Sequence, residues 1–127
     1  MDWFGEYYFL MAHFVQITDG VITKGLVIHN NVVGTEFPAS EPIGKQFIAE
    51  HGYEGEWLQT SFNHNFRKQY GLMGGSYNAE HDVFIAPQPF PSWSLDSNHD
   101  WQAPKPEPEG NFYWDEDVLE WVAFPTI

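Results

Sequence analysis

The apolar positions of this chain alternate more often than they recur at helical spacing, so the pattern predicts mainly strands. His13-Phe-Val-Gln-Ile17 and Val21-Ile-Thr-Lys-Gly-Leu-Val-Ile28 flank Asp19-Gly20. Asp-Gly between β-branched runs signals a tight hairpin, because a type I′ turn needs positive φ at both central residues. Asn30-Asn31 and Gly34 close that hairpin, which is expected over Ala12 to Ile28. One helix is expected, from Ser40 to His51. Ser40 is the candidate N-cap, Glu41 and Pro42 suit the first turn, and Gly52 suits the C′ position. Ile43, Phe47 and Ile48 would form its apolar face. Glu56 to Phe62 alternates as a strand, and Asn63 to Gly75 reads as a long polar and Gly-rich loop carrying Arg67 and Lys68.

The last third repeats one unit three times. The copies run from Tyr77 to Pro87, from Trp93 to Pro104 and from Tyr113 to Pro125. Each reads aromatic, acidic polar stretch, aromatic, one residue, Ala, then Pro at once or one residue on. Aromatic rings seven or eight residues apart suit hairpins with facing rings and an acidic turn. The pairs expected to face are Tyr77 with Phe84, Trp93 with Trp101, and Tyr113 with Trp121. Pro87-Gln-Pro-Phe-Pro91 and Pro104-Lys-Pro-Glu-Pro108 join the copies as stiff, extended spacers. The fold class expected is α+β, mostly β. It would comprise a lead over residues 1–10, a small α+β unit over 11–75 and a hairpin array over 76–127. The lead is an extension or docking peptide, or Met11 is the true start.

Composition sharpens this picture. Aromatics are unusually frequent, with 11 Phe, 6 Tyr and 6 Trp, while 11 Gly and 9 Pro favour turns over long helices. The formal charge of −13 disfavours nucleic acid, whose phosphates need Lys and Arg, and would draw the chain toward basic partners. Cysteine is absent, which excludes a disulfide framework, thiolate metal sites and a Cys nucleophile. No apolar run is long enough to span a membrane, and the N-terminus lacks the basic-then-apolar layout of a signal peptide.

Candidate chemistry is sparse. His81-Asp82 and His99-Asp100 occupy equivalent places in two repeats and would supply metal ligands if the turns met. Turn chemistry explains them more simply, since the third copy has Leu119-Glu120 there. Asp115, Glu116, Asp117 and Glu120 form a carboxylate cluster that reads as a solvated turn, with Glu116 and Asp117 at its tip. No nucleophile elbow or phosphate-binding loop occurs. The chain is therefore expected not to be an enzyme and to hold no metal or cofactor. The binding candidates are Trp93, Trp101, Trp114 and Trp121, with Trp3, Phe4, Tyr7 and Tyr8 in the lead. Such rings anchor protein partners or stack on sugars, or they pack on one another to support weak hairpins.

Several segments together carry a resemblance. They are Met11-Ala-His-Phe, Trp57 to Asn63, Phe66-Arg-Lys-Gln-Tyr-Gly71, Tyr77 to Phe84, Pro87 to Trp93, Trp101, the Pro104 run, Tyr113 to Asp117 and Trp121. In this order, over residues 11–121, the chain resembles a family of small proteins of marine tailed phages, notably those of cyanobacteria. The resemblance implies association with the virion, as a capsid decoration (cement) protein or a tail-associated component, with other virion proteins as partners. The alternatives are a glycan-binding module of a tail or fibre, contacting host surface sugars through exposed Trp rings, and a tail assembly chaperone absent from the particle.

Overall fold

A computed structural model describes residues 11–126. Strand β1 (Met11–Thr18) turns through Asp19 and Gly20, both at positive φ (52° and 80°), into β2 (Val21–His29). This is the hairpin that Asp-Gly predicts. A bulge shifts its register, since Gln16 pairs with Lys24 but Ile17 with Ile22. The extra residue, Thr23, approaches the Thr18 hydroxyl at 3.1 Å. A single helical turn, α1 (Asn30–Val33), ends the hairpin. The His29 Nδ1 accepts from the Asn31 N–H at its start, and Gly34 closes it in the left-handed conformation.

Helix α2 (Ser40–Glu50) ends as expected, with Gly52 left-handed at φ 86°, but it begins differently. Ala39 is the N-cap and makes no side-chain cap bond. Ser40 is instead fully buried and donates its hydroxyl to Gln59 Oε1 at 2.6 Å. Of the expected apolar face, Ile48 is buried and Phe47 packs against the core, and only Ile43 departs. Ile43 is 41 % exposed, and the buried positions are Ser40, Gly44 and Ile48. At Gly44 the helix lies so close to Phe14 that a side chain has no room. A Cβ at Gly44 would sit 2.1 Å from the Phe14 ring.

Strand β3 (Glu56–Thr60) pairs with β1 on the side away from β2. The first aromatic hairpin, β4 (Ser76–Asn78) and β5 (Val83–Ile85), joins through Val21 and Ser76, giving the order β3-β1-β2-β4-β5. Residues 74–77 are laced to the first turn. Gly74 N–H donates to Ile22 O, Ile22 N–H to Gly75 O, and Tyr77 N–H to Gly20 O, each at 2.9 Å. Both faces of β1 are buried, one under α2 and the other under the 63–75 loop. Ala12 and Phe14 pack with Ile28, Val33, Ile48 and Trp57 under α2. Val15 and Ile17 pack with Ile22, Leu58 and Phe84 on the other side, where Gly71 of the 63–75 loop closes over them.

The chain is α+β and mostly β, and all three aromatic hairpins form. The first completes the sheet rather than starting an array, so one compact unit runs through Pro87 and a second begins at Gln88. The second unit holds β6 (Ser94–Leu95) with β7 (Trp101–Gln102), and β8 (Phe112–Asp115) with β9 (Glu120–Ala123). Facing rings are found at Tyr77 and Phe84, as expected. In the other copies the pairing is corrected. Leu95 opposes Trp101, and Trp114 opposes Trp121, leaving Tyr113 opposite Val122. The first and third hairpins both have four-residue loops, which sets the facing spacing at seven residues and not eight. No described helix is long and apolar enough to cross a membrane.

The contact beneath α2 yields a test. Gly44→Ala gains about 1 kcal/mol of helix propensity. The added methyl must displace the buried Phe14 ring, and overpacking of this kind costs about 1–3 kcal/mol. The clash is expected to win, so urea unfolding should show a net loss of stability despite the better helix former.

Candidate functional site

The densest polar cluster centres on Arg67, which the loop presents at φ 55°. Its carbonyl accepts from Phe84 N–H on β5 at 3.0 Å. Its guanidinium donates to the Gln59 carbonyl on β3 at 2.9 Å and forks onto the Glu41 carboxylate of α2. Glu41 in turn accepts from Gln59 N–H at 2.8 Å. Arg67 Nε also pairs with Asp82 at 2.8 Å, and Asp82 accepts the Tyr77 hydroxyl. The guanidinium lies 5.1 Å from the Phe37 ring centre and 6.0 Å from that of Tyr77. Phe37 itself is stacked on Phe66 at 3.7 Å.

The electrostatics follow from this packing. Only 9 % of the Arg67 side chain is exposed. Burial works against its charge, but the hydrogen bonds and charges of Glu41 and Asp82 outweigh it and raise its proton affinity. Tyr77 and Arg67 hold the Asp82 carboxyl below its ordinary value. Burial, then the bond to Asp82, pushes Tyr77 up to about 12. A guanidinium shared by two carboxylates is neutralised and enclosed, so it offers little to an anionic ligand. Its chemistry is that of a structural clasp.

The two His-Asp pairs fall in different units, and each is taken up in local contacts. Asp82 belongs to the clasp, and His81 N–H donates to Asn78 Oδ1 in a local turn. His99 and Asp100 lie in the second unit, in a turn organised by Asp96 Oδ1, which accepts from Asn98 and Asp100 N–H. Among the described residues no group of three or more His, Asp or Glu side chains is placed to hold a metal ion. A groove of about 830 Å3 lies in the first unit, bordered by His13, Asn31, Glu36, Phe37, Ser61 and Asn65 among others. Burial lowers the His13 pKa. The lining contains no Lys or Arg, so it suits a neutral polar ligand better than an anion.

The tryptophans are packed in the second unit. Trp93 lies 6.2 Å from Trp114 and 6.0 Å from Trp121, and those two are 5.4 Å apart. The ring planes meet at 81°, 58° and 71°. Trp114 is only 5 % exposed, while Trp93, Trp101 and Trp121 are half-buried. Glu116 is not a free turn carboxylate. It accepts from the Ser92 N–H and hydroxyl and from the Trp114 indole, and these bonds hold its carboxyl below the usual range. The Trp121 indole donates to the Lys105 carbonyl at 2.9 Å. Trp3, Phe4, Tyr7 and Tyr8 lie outside the described residues.

The exposed apolar side chains are others. Tyr113 (40 %), Phe124 (54 %), Val118 and Leu119 stand out on the third hairpin, and Leu72 and Met73 on the 63–75 loop. Strand alternation carried the missed signal: with Trp114 facing inward, Tyr113 must face out.

Two outcomes are expected of the clasp. Arg67→Met strands Glu41 and Asp82 without their cation and should cost about 3–5 kcal/mol in denaturant unfolding. Arg67→Lys should recover only part, since an ammonium cannot fork onto Glu41 and still reach Gln59 and Asp82. The pH dependence has a definite sign. The depressed Asp82 carboxyl contributes stability above its ordinary value of 3.8 and loses it as pH falls through the lower folded value. Tyr77 contributes below 10 and loses its share as pH rises toward about 12. Asp82→Asn is therefore expected to be less stable at neutral pH and to lose less on acidification, as circular dichroism titration would show.

No protein-family model matches this chain, and no curated protein or solved structure matches it either.

Proposed function

We propose that this chain is a structural accessory protein of a phage particle, a capsid decoration protein or a tail-associated component, acting through protein–protein contacts. The observation that carries this reading is the third hairpin. Its inward rings form a tight Trp cluster, and its outward face and tip present Tyr113, Val118, Leu119 and Phe124 to solvent. Exposed apolar groups on a braced scaffold are the usual form of a contact surface. The resemblance over residues 11–121 to small proteins of marine tailed phages supplies the context. Many copies on a shell tolerate a modest affinity each, because neighbouring contacts add avidity.

Two observations bear on the alternatives. The steep angles and mutual packing of Trp93, Trp114 and Trp121 count against a row of coplanar rings for stacking on host sugars. The titratable groups of the Arg67 cluster are engaged with one another, which counts against an enzyme built there. A tail assembly chaperone shares the contact chemistry and differs in where the protein is found.

Mass spectrometry with copy-number estimation on purified particles is the deciding measurement. Hundreds of copies per particle are expected for a decoration protein and a few dozen or fewer for a tail component. Absence from particles, with abundance in infected cells, would overturn the virion reading in favour of the chaperone.

A further inference from the structure

We propose that the outer face of the third hairpin docks a cationic, aliphatic strand segment of another protein. The inference rests on reading the chain as a contact-making accessory, and it names the chemistry of the partner.

The pleat sorts the side chains of β8 and β9 onto two faces. Phe112, Trp114, Trp121 and Ala123 share the inner face, where the Trp cluster forms. Tyr113, Asp115, Glu120 and Val122 share the outer one. Phe124 extends the outer face, because its N–H continues the ladder to the Asn111 carbonyl at 3.0 Å, and its ring lies 5.2 Å from that of Tyr113. The outer face thus runs from Phe124, through Tyr113 with Val122 opposite it, to the two carboxylates at the turn end.

The charges identify the occupant. Asp115 and Glu120 stand directly opposite each other across the strands, and like charges in that position repel. From Gln88 onward the chain carries eight carboxylates and one lysine. That lysine, Lys105, already pairs with Glu120. A strand laid on this face presents every second residue to it, so cations toward one end of the partner would meet Asp115 and Glu120 while aliphatic side chains toward the other end cover Tyr113, Val122 and Phe124. A second copy of this chain would bring the same carboxylates and is disfavoured. The hairpin is a two-stranded sheet to which, among the described residues, no third strand pairs. An extended segment can therefore lie along it or add to its edge.

The test uses the full chain, labelled with 15N, and two synthetic octapeptides, Val-Ser-Val-Ser-Arg-Ser-Arg-Ser and the same sequence with Glu in place of Arg, so that the aliphatic and charged residues share one face. Saturable amide shifts over residues 112–124 are expected with the Arg peptide alone, weakening as salt rises. Asp115→Asn with Glu120→Gln, and separately Tyr113→Ser with Phe124→Ser, should each weaken binding at least about tenfold. Unchanged indole signals of Trp114 and Trp121 would show that the hairpin persists in these variants. Equal binding of the Glu peptide, shifts mapping elsewhere, no binding at all, or unaltered affinity in the folded variants would each overturn the proposal. Its failure stays distinct from that of the virion reading. Protein present in particles without Arg-peptide binding overturns only the docking surface, and binding without presence in particles overturns only the virion role.

Discussion

The fold of the first unit depends on one residue joining the two outer strands of its sheet. An open sheet ends in two rows of unpaired backbone groups, which invite pairing with other chains. Here Arg67 meets both ends. Its carbonyl takes the Phe84 N–H of β5, its guanidinium takes the Gln59 carbonyl of β3, and Glu41 takes the Gln59 N–H. A buried guanidinium is costly in isolation, and the surrounding carboxylates and aromatic faces make it tolerable. The same residue holds the loop that lays Gly71 over Val15, Ile22 and Phe84. Charge, edge closure and core coverage are therefore one arrangement.

Local chemistry made part of this legible before any coordinates. Asp19-Gly20 fixed a turn, Gly52 marked a helix end, and aromatic spacing located three hairpins, because each signal acts within a few residues. What escaped was set across long separations. Arg67 reaches Gln59, Asp82 and Glu41, which are 8, 15 and 26 residues away, and in the sequence it is only a cation in a polar loop. Ser40 has the chemistry of a cap, yet its hydroxyl is drawn inward by Gln59, 19 residues on. Gly44 reads as a poor helix residue until Phe14 is placed beneath it. The partner of the later Trp lies two positions further on than expected in the second hairpin and one position in the third, because the repeats invite an alignment on their first aromatic. The loop length decides which rings meet.

The second unit shows a different economy of aromatic side chains. Two-stranded hairpins are marginal alone in water. Trp93, standing outside the strands, packs on both rings of the third hairpin, and Ser92 beside it binds Glu116 in the turn of that hairpin. Of the four Trp candidates for recognition in the last third, Trp93, Trp114 and Trp121 thus provide cohesion. The apolar groups left facing solvent are those the repeat pattern did not single out.

The left-handed backbone at Arg67, followed by Lys68 at φ 71°, bears on the order in which the molecule assembles. The β1–β2 hairpin needs only a two-residue loop, so it can form early. The seam between β3 and β5 forms only once α2, β3 and the first aromatic hairpin are all in place to receive Arg67. Its closure thus depends on contacts far apart in sequence, whereas that of the β1–β2 hairpin is local. Transient opening along that line would bare β3 and β5 while the hairpin at the centre stays folded. Any hazard of intermolecular strand pairing would thus arise from a brief breathing motion at one seam, well before global unfolding.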